Sequence, residues 1–347
     1  MSINHAAMNA QNDSFCIASE AGVKVFHSSP PVLSREIKAE LVGNARLCCV
    51  LHRSNVVAFV GGGRGTNYPS NTAMVWDDDA KKVALEYTVP GGPILNLLMT
   101  PNRLIIVQDK KIHFFMFPDG NKPIRFEDTR FNPHGLAAVS IDELTGQQLA
   151  FPGFKIGSVR IMNLNSLNEF ETLAPTTINA HLTEIAQIAM NNQGTLLATG
   201  STKGTVIRVF ETRTQRLLVE LRRGNVQASL HCLSFSPCST FLAASSDKGT
   251  IHVFRIRDTE ESSQRQVLRQ VGLVKGAADV AKISLEPRVL CCGFTNATST
   301  SLQSLVVICA NGTYHRYSFN ADGHTQRESF ESLKQLGDEQ DFWTSIF

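Results

Sequence analysis

The sequence predicts an all-β chain folded as a seven-bladed, WD40-like β-propeller. Three observations point there. A unit of two short apolar strands joined by a turn containing Gly or Asp occurs seven times. The units recur at roughly the 40–50-residue period of propeller blades. Helical periodicity of comparable length is almost absent.

In order, the units are FCIASEAGVKVF (15–26), VVAFVGGG…TAMVWDD (56–78), RLIIVQDKKIHFFMF (103–117), QLAFPGFKIGSVRIMNL (148–164), TLLATGSTKGTVIRVF (195–210), TFLAASSDKGTIHVF (240–254) and SLVVICANGTYHRYSF (304–319). Their comparable positions Phe26, Trp76, Phe115, Ile161, Phe210, Phe254 and Tyr317 lie 50, 39, 46, 49, 44 and 63 residues apart. A strand such as Val206–Phe210 sends successive side chains to opposite faces, burying one face between blades and exposing the other near a loop. A single blade cannot cover both faces of its sheet, so neighbours stack and the ring closes. Lys203-Gly204, Lys248-Gly249 and Asn311-Gly312 suit tight hairpins with positive φ. The predicted organisation is a flexible tail over 1–13, a propeller over 14–333 and a C-terminal tail over 334–347. The long last spacing falls in 255–280, read as a loop inserted within blade six. Its second half sets Val267, Leu268, Val271 and Val274 at helical spacing, flanked by Arg265, Arg269 and Lys275.

Composition narrows the function. Hydrophobic residues make up 42% and charged residues 18%, and the net charge is +2. No global imbalance argues for nucleic acid, so an anionic partner must meet a local patch. None of the eight cysteines falls in a C-x-x-C pair, and buried free thiols in a reducing compartment are expected. The N-terminus is polar and without an apolar signal core. No apolar run approaches the ~18 residues of a spanning helix, so membrane contact would be peripheral. Neither a metal-ligand spacing nor a nucleophile elbow occurs. Gly61–Gly65 lacks the Lys-Ser/Thr of a phosphate loop, and Asp77-Asp78-Asp79 reads as a solvated turn. No catalysis, cofactor or metal is expected.

The chemistry concentrates around Arg222-Arg223. These residues lie between two S-x-x-G-T hairpins 45 residues apart, Ser201 to Thr205 and Ser246 to Thr250. Lys203 to Arg223 holds six basic and two acidic residues. Adjacent strand residues point to opposite faces, so the dipeptide can serve two anion pockets, one at each blade edge. Arginine's planar fork donates paired hydrogen bonds to phosphate. Ser201, Thr205 and Arg208 on one side, Ser246, Thr250 and His252 on the other, and His181 complete the candidate set.

Leu221-Arg222-Arg223-Gly224 matches the F/L-R-R-G motif, and the chain resembles the PROPPINs, β-propellers that bind phosphoinositides and act in autophagy. Asn179-Ala180-His181, Ser201 to Arg208 and Ser245 to His252 match too, and the resemblance covers nearly the whole chain. Gly61-Gly62-Gly63, Tyr68-Pro69 and Trp76-Asp77-Asp78 are similar to the subgroup holding the third and fourth WD-repeat phosphoinositide-interacting proteins. The resemblance implies a monomeric, cytoplasmic adaptor recruited to preautophagosomal or endosomal membranes. It implies binding of phosphatidylinositol 3-phosphate and phosphatidylinositol 3,5-bisphosphate, with the blade-six loop dipping into the bilayer beside the pockets. It further implies a lipid-transfer partner contacted through blades one to three, for which Asn12 and Asp13 are candidates. The terminal segments match nothing in the family pattern, and the blade-six loop is short and lacks aromatic residues. The competing reading is a WD40 scaffold that reads peptides on the propeller's top face without binding lipid.

Overall fold

The computed structural model describes residues 2–51, 54–120, 122–142, 146–165, 175–256, 279–295, 302–320 and 322–336. Its strands form seven four-stranded antiparallel sheets, each paired in chain order. Blade one is β1 (Ile3–Met8), β2 (Ser14–Ser19), β3 (Gly22–His27) and β4 (Leu33–Lys38). A single helical turn, α1 (Ala39–Val42), leads into blade two: β5 (Gly43–Val50), β6 (Val56–Thr66), β7 (Thr72–Asp77) and β8 (Lys82–Thr88). Blade three is β9 (Asn96–Thr100), β10 (Arg103–Val107), β11 (Lys111–Met116) and β12 (Pro123–Asp128). Blade four is β13 (Ala138–Val139), β14 (Gln148–Pro152), β15 (Ser158–Asn163) and β16 (Thr176–Asn179). Blade five is β17 (Ile185–Met190), β18 (Leu196–Ser201), β19 (Val206–Glu211) and β20 (Leu217–Arg222). Blade six is β21 (Leu230–Phe235), β22 (Phe241–Ser246), β23 (Thr250–Arg255) and β24 (Asp279–Ser284). Blade seven is β25 (Val289–Thr295), β26 (Gln303–Cys309), β27 (Thr313–Phe319) and β28 (Thr325–Ser332). Each predicted two-strand unit is the middle pair of one blade.

The first strand of each blade lies innermost, and β1 packs against both β5 and β25, which closes the ring. Residues 3–8 are therefore not a tail. They form the inner strand of blade one, because β2 on one side and the neighbouring blades on the other supply the pairing and burial that INHAAM lacks by itself.

Among the described residues the core divides into seven clusters, one at each blade interface. This is stacking in a ring: each sheet buries its two faces against its neighbours. The repeated large residues sit at a recurring irregularity. Register shifts fall at Val25/Phe26, Val75/Trp76, Phe114/Phe115, Val209/Phe210, Val253/Phe254 and Arg316/Tyr317, where the third strand of a blade meets its outermost strand. A bulge raises local twist, and here it turns a buried ring into the inter-blade core. Ile161 of blade four is buried too, without a shift.

All eight cysteines are free, five of them buried, but Cys238 is exposed rather than interior as the sequence suggests, because it sits in the turn between β21 and β22. Cys232 and Cys292, on the inner strands of blades six and seven, have sulfurs 3.6 Å apart.

Candidate functional site

Blade topology gives the propeller two ends. Turns between second and third strands, and the linkers from one blade to the next, share one end. Turns between the first and second strands, and between the third and fourth, share the other.

The Arg-Arg step is at the first end. Arg222 closes β20, pairing with Val206 across the ladder, and is exposed, whereas Leu221 and Arg223 are buried. The two side chains differ in exposure as expected, but Arg223 lies just beyond β20 and turns back to its own blade rather than to blade six. Arg222 donates from Nε and Nη2 to Asn225 Oδ1 at 2.9 and 2.6 Å. Arg223 turns inward to the blade-five turn, donating from Nε to the Gly204 carbonyl and from Nη2 to the Val226 carbonyl, both at 2.5 Å. Its backbone N–H donates to the Thr205 carbonyl at 3.0 Å.

The linker that follows joins the two hairpin turns. Ala228 N–H donates to the Lys203 carbonyl, and Ser229 N–H to Asp247 Oδ1. Gly204 and Gly249 occupy corresponding turns with φ of +61° and +66°, a region glycine enters without strain. At Gly204 a Cβ would overlap the Ala228 carbonyl oxygen, so the close approach of turn and linker also requires glycine.

The remaining candidates divide between the blades. Ser201 is buried at the end of β18, with Thr205 half-buried beyond the turn. Arg208 pairs with Glu220 at 2.9 Å and donates to the Ala180 carbonyl at 2.6 Å. His181 lies 3.2 Å from the Thr199 carbonyl and 3.0 Å from its hydroxyl. Burial drives the His181 pKa down to about 4; the Thr199 hydrogen bond opposes this, Arg208 reinforces it and Glu220 opposes it. In blade six, Ser246 is buried and accepts the Lys248 N–H at 3.4 Å, and Thr250 is half-buried. His252 is buried, stacked on Phe254, with Nδ1 3.2 Å from Asp279 Oδ1. Burial pushes the Asp279 carboxyl up, but His252 and Lys282 outweigh it and hold the group below its ordinary value. Among the described residues, no hydrogen bond or ion pair joins either arginine to Ser246, Thr250 or His252.

Glu220, Asn225 and Asp279 escaped the sequence reading. Glu220 reaches Arg208 through strand register, which a single sequence does not print. Asn225, in the turn directly after Arg-Arg-Gly, was the most visible of the three.

Val267, Leu268, Val271 and Val274 lie outside the described residues. Their segment leaves after Ile256 and returns at Asp279, the far end of β23 from Thr250. Six residues of strand set the Ser246–Thr250 turn and the loop's roots about 17–20 Å apart, so the loop does not start beside the arginines. Asn12 and Asp13 lie in the turn between β1 and β2, where Asn9 Nδ2 donates to Asp13 Oδ1 at 2.6 Å. That turn is at the loop's end of the propeller.

Charge decides what the site accepts. Among the described residues no carboxylate pairs with Lys203, Arg222 or Arg223. A buried guanidinium satisfied only by carbonyls keeps its charge uncompensated, and the turn that receives it carries the Ser201 and Thr205 hydroxyls. The arrangement suits a polyanion with several acceptor oxygens. Among the described residues no cluster of three or more His, Cys, Asp or Glu could hold a metal ion.

The PROPPIN sequence profile matches residues 7–275. The chain is 41% identical over 352 aligned positions to Ectopic P granules protein 6 of Caenorhabditis elegans, covering 98% of this chain and 90% of that one. It is 30% identical over 346 positions to Autophagy-related protein 18e of Arabidopsis thaliana, covering 95% and 88%. In structure it is similar to Kluyveromyces lactis Hsv2, with TM-score 0.79 and 20% identity over 96% of this chain and 99% of that one. KlAtg21, solved in complex with the coiled-coil of AgAtg16, aligns with TM-score 0.76 and 19% identity over 96% and 100%. At such identities the structural likenesses speak for the fold alone; the profile and the sequence relatives go further, and the chain belongs to the PROPPIN family.

Proposed function

We propose that this chain is a peripheral membrane adaptor that binds phosphatidylinositol 3-phosphate and phosphatidylinositol 3,5-bisphosphate through the Arg222-Arg223 step and brings a protein partner to membranes during autophagosome formation. One observation carries the reading: three cations without a carboxylate partner among the described residues, Lys203, Arg222 and Arg223, gather at one turn. Arg222 presents its guanidinium outward. Arg223 and the Gly204 turn hold the surface that receives the phosphate. Ser201 and Thr205 complete the first pocket, with His181 and Arg208 behind it. Ser246 and Thr250 form the second, with His252 holding the strand that carries the loop's return. The protein's work is binding, not chemistry.

The bilayer lies along the outer rim of blades five and six. Arg222 is at one end of β20, and the exposed Leu217 and Leu218 are near the other, the end from which the 257–278 segment departs. Val267, Leu268, Val271 and Val274 add apolar contact there. Among the described residues no helix is long and apolar enough to cross a membrane. In this reading recruitment rests on the rim, and family membership supports a cytoplasmic pool docking on preautophagosomal or endosomal membranes. The partner, a lipid-transfer protein, meets blades one to three, with Asn12 and Asp13 at its edge. Flotation with liposomes containing or lacking phosphatidylinositol 3-phosphate tests the reading. The native chain floats only with the lipid, and an Arg222→Thr, Arg223→Thr form stays behind; equal flotation of both refutes it.

A further inference from the structure

Next to the blade-five turn that receives Arg223, the corresponding turn of blade four is lined differently, and Thr202 of the blade-five turn lies on the wall between them. The linker from β12 to β13, the blade-four turn and the start of β17 enclose a cavity of about 270 Å³. Its apolar walls include Phe131, Pro133, Leu136, Pro152 and Ile185. The turns of blades four and five are equally long, both spanning six residues between the last paired positions Pro152↔Val159 and Gly200↔Ile207. Gly153 stands where blade five has Ser201, Phe154 where it has Thr202, and Ile156 where it has Gly204. Hydroxyl and open backbone give way to rings and aliphatics, and Lys155 keeps the place of Lys203.

The mouth is apolar and exposed. Phe131, which lines the cavity, is 61% exposed; Phe154 at 59% and Ile156 at 47% alternate along the turn with the lining residues Gly153, Lys155 and Gly157, and Leu182 at 93% precedes the lining residue Glu184, which makes four of the eleven exposed large hydrophobic residues among those described. Such clustering marks an interaction site. The mouth is also held in place. Asn132 is buried and bonds Leu136 through both its amide nitrogen and oxygen. Arg130 donates to the Phe154 carbonyl at 3.1 Å and to Glu184 at 2.8 Å, tying linker, turn and next blade together. Arg160 lies over the Phe154 ring. With Glu184 engaged by Arg130, no carboxylate among the described residues pairs with Lys155 or Lys203.

We propose that this cavity docks a partner protein's extended segment, one large apolar side chain entering between Phe131 and Phe154 and flanking acidic residues meeting Lys155 and Lys203. Concavity selects a peptide over a bilayer, since a flat membrane leaves the cavity unfilled. The charge of the rim selects acidic flanks. Lys203 is common to this site and the proposed lipid site, so the test rests on Phe131, Phe154 and Lys155, which the lipid reading does not use.

The probe is a fluorescein-labelled nonapeptide with one central tryptophan, two glutamates on each side and serines elsewhere, followed by anisotropy. The native chain binds it saturably, and peptides with tryptophan replaced by serine, or glutamates by lysine, bind at least about tenfold more weakly. Phe131→Ser with Phe154→Ser, both at exposed positions, costs about tenfold or more; Lys155→Glu costs about threefold or more. All variants keep native liposome flotation. The inference is overturned if the probe does not bind by about 1 mM, or if these variants or control peptides bind like the originals. Loss of flotation with unchanged peptide binding also overturns it, and assigns the patch to the membrane.

Discussion

Arg223 donates its Nε hydrogen to the carbonyl oxygen of Gly204 at 2.5 Å, anchoring the Arg-Arg step to the turn of its own blade. Arg222, one residue earlier, is exposed and held by Asn225. The two arginines therefore differ in what their loss does to the fold. Arg222→Thr changes stability by no more than about 0.5 kcal/mol, as surface substitutions do. Arg223→Thr leaves the Gly204 and Val226 carbonyls without their donor and costs about 1–3 kcal/mol. Denaturant titration of the two variants separates these values; equal losses contradict the assignment of Arg223 as the anchor.

Glycine requirements at the two turns differ as well. Gly249→Ala meets its nearest neighbour, the Leu285 carbonyl oxygen, at 3.3 Å and bears mainly backbone strain of about 1–2 kcal/mol. Gly204→Ala adds overlap with the linker and costs about 3 kcal/mol or more. It also displaces Arg223, so lipid binding falls further than in Gly249→Ala. Melting and flotation of the pair check both points, and equal behaviour contradicts them.

Burial lowers the pKa of His5, His113, His181, His231 and His315, and His5 and His181 shift furthest. Burial, with Arg46 adding to it, lowers His5 to about 4, and burial lowers His181 to about 4. A depressed folded pKa means the unfolded chain binds more protons between the two values. Stability from these groups is thus complete above about pH 6.5 and is lost as pH falls toward 4. The loss is roughly 1–2 kcal/mol for each, after discounting for partial exposure. Denaturation midpoints measured across that window should fall, and those of His181→Gln less steeply. His181, held neutral by burial and hydrogen-bonded to Thr199, adds no pH dependence to lipid binding between about pH 5.5 and 7.5. A rise on acidification would put a histidine against the phosphate.

Much of this was legible in the sequence, and the misses have physical causes. The positions Phe26, Trp76, Phe115, Phe210, Phe254 and Tyr317 marked the blades because one bulge recurs beside each of them. The inner strand Ile3–Met8 left no such mark. Between Ile3 and Met8 its residues are small or polar, and its pairing comes from β2 and its burial from β5 and β25. Alternation foretold that Arg222 and Arg223 face apart. The acceptors of Arg223 did not show, because the Gly204 and Val226 carbonyls are backbone atoms that any sequence possesses. Asp279 stayed hidden at the edge of the inserted segment, since its link to His252 depends on where β24 resumes pairing.

On the proposed function, substitutions in the blade-six segment distinguish membrane anchoring from headgroup recognition. Burying an aliphatic side chain contributes about 1.5–3 kcal/mol at most, and ordering some ten residues offsets much of the total. Leu268→Asp with Val271→Asp accordingly reduces liposome flotation while leaving affinity for a soluble short-chain lipid unchanged. Equal loss in both assays contradicts this separation.

The most direct test of the central claim is calorimetric titration of soluble dibutanoyl phosphatidylinositol 3-phosphate into the native chain, the two single arginine variants and the Arg222→Thr, Arg223→Thr form. The account predicts saturable binding to the native chain, weaker binding to each single variant and none to the double. Binding that survives undiminished in the double variant would contradict it.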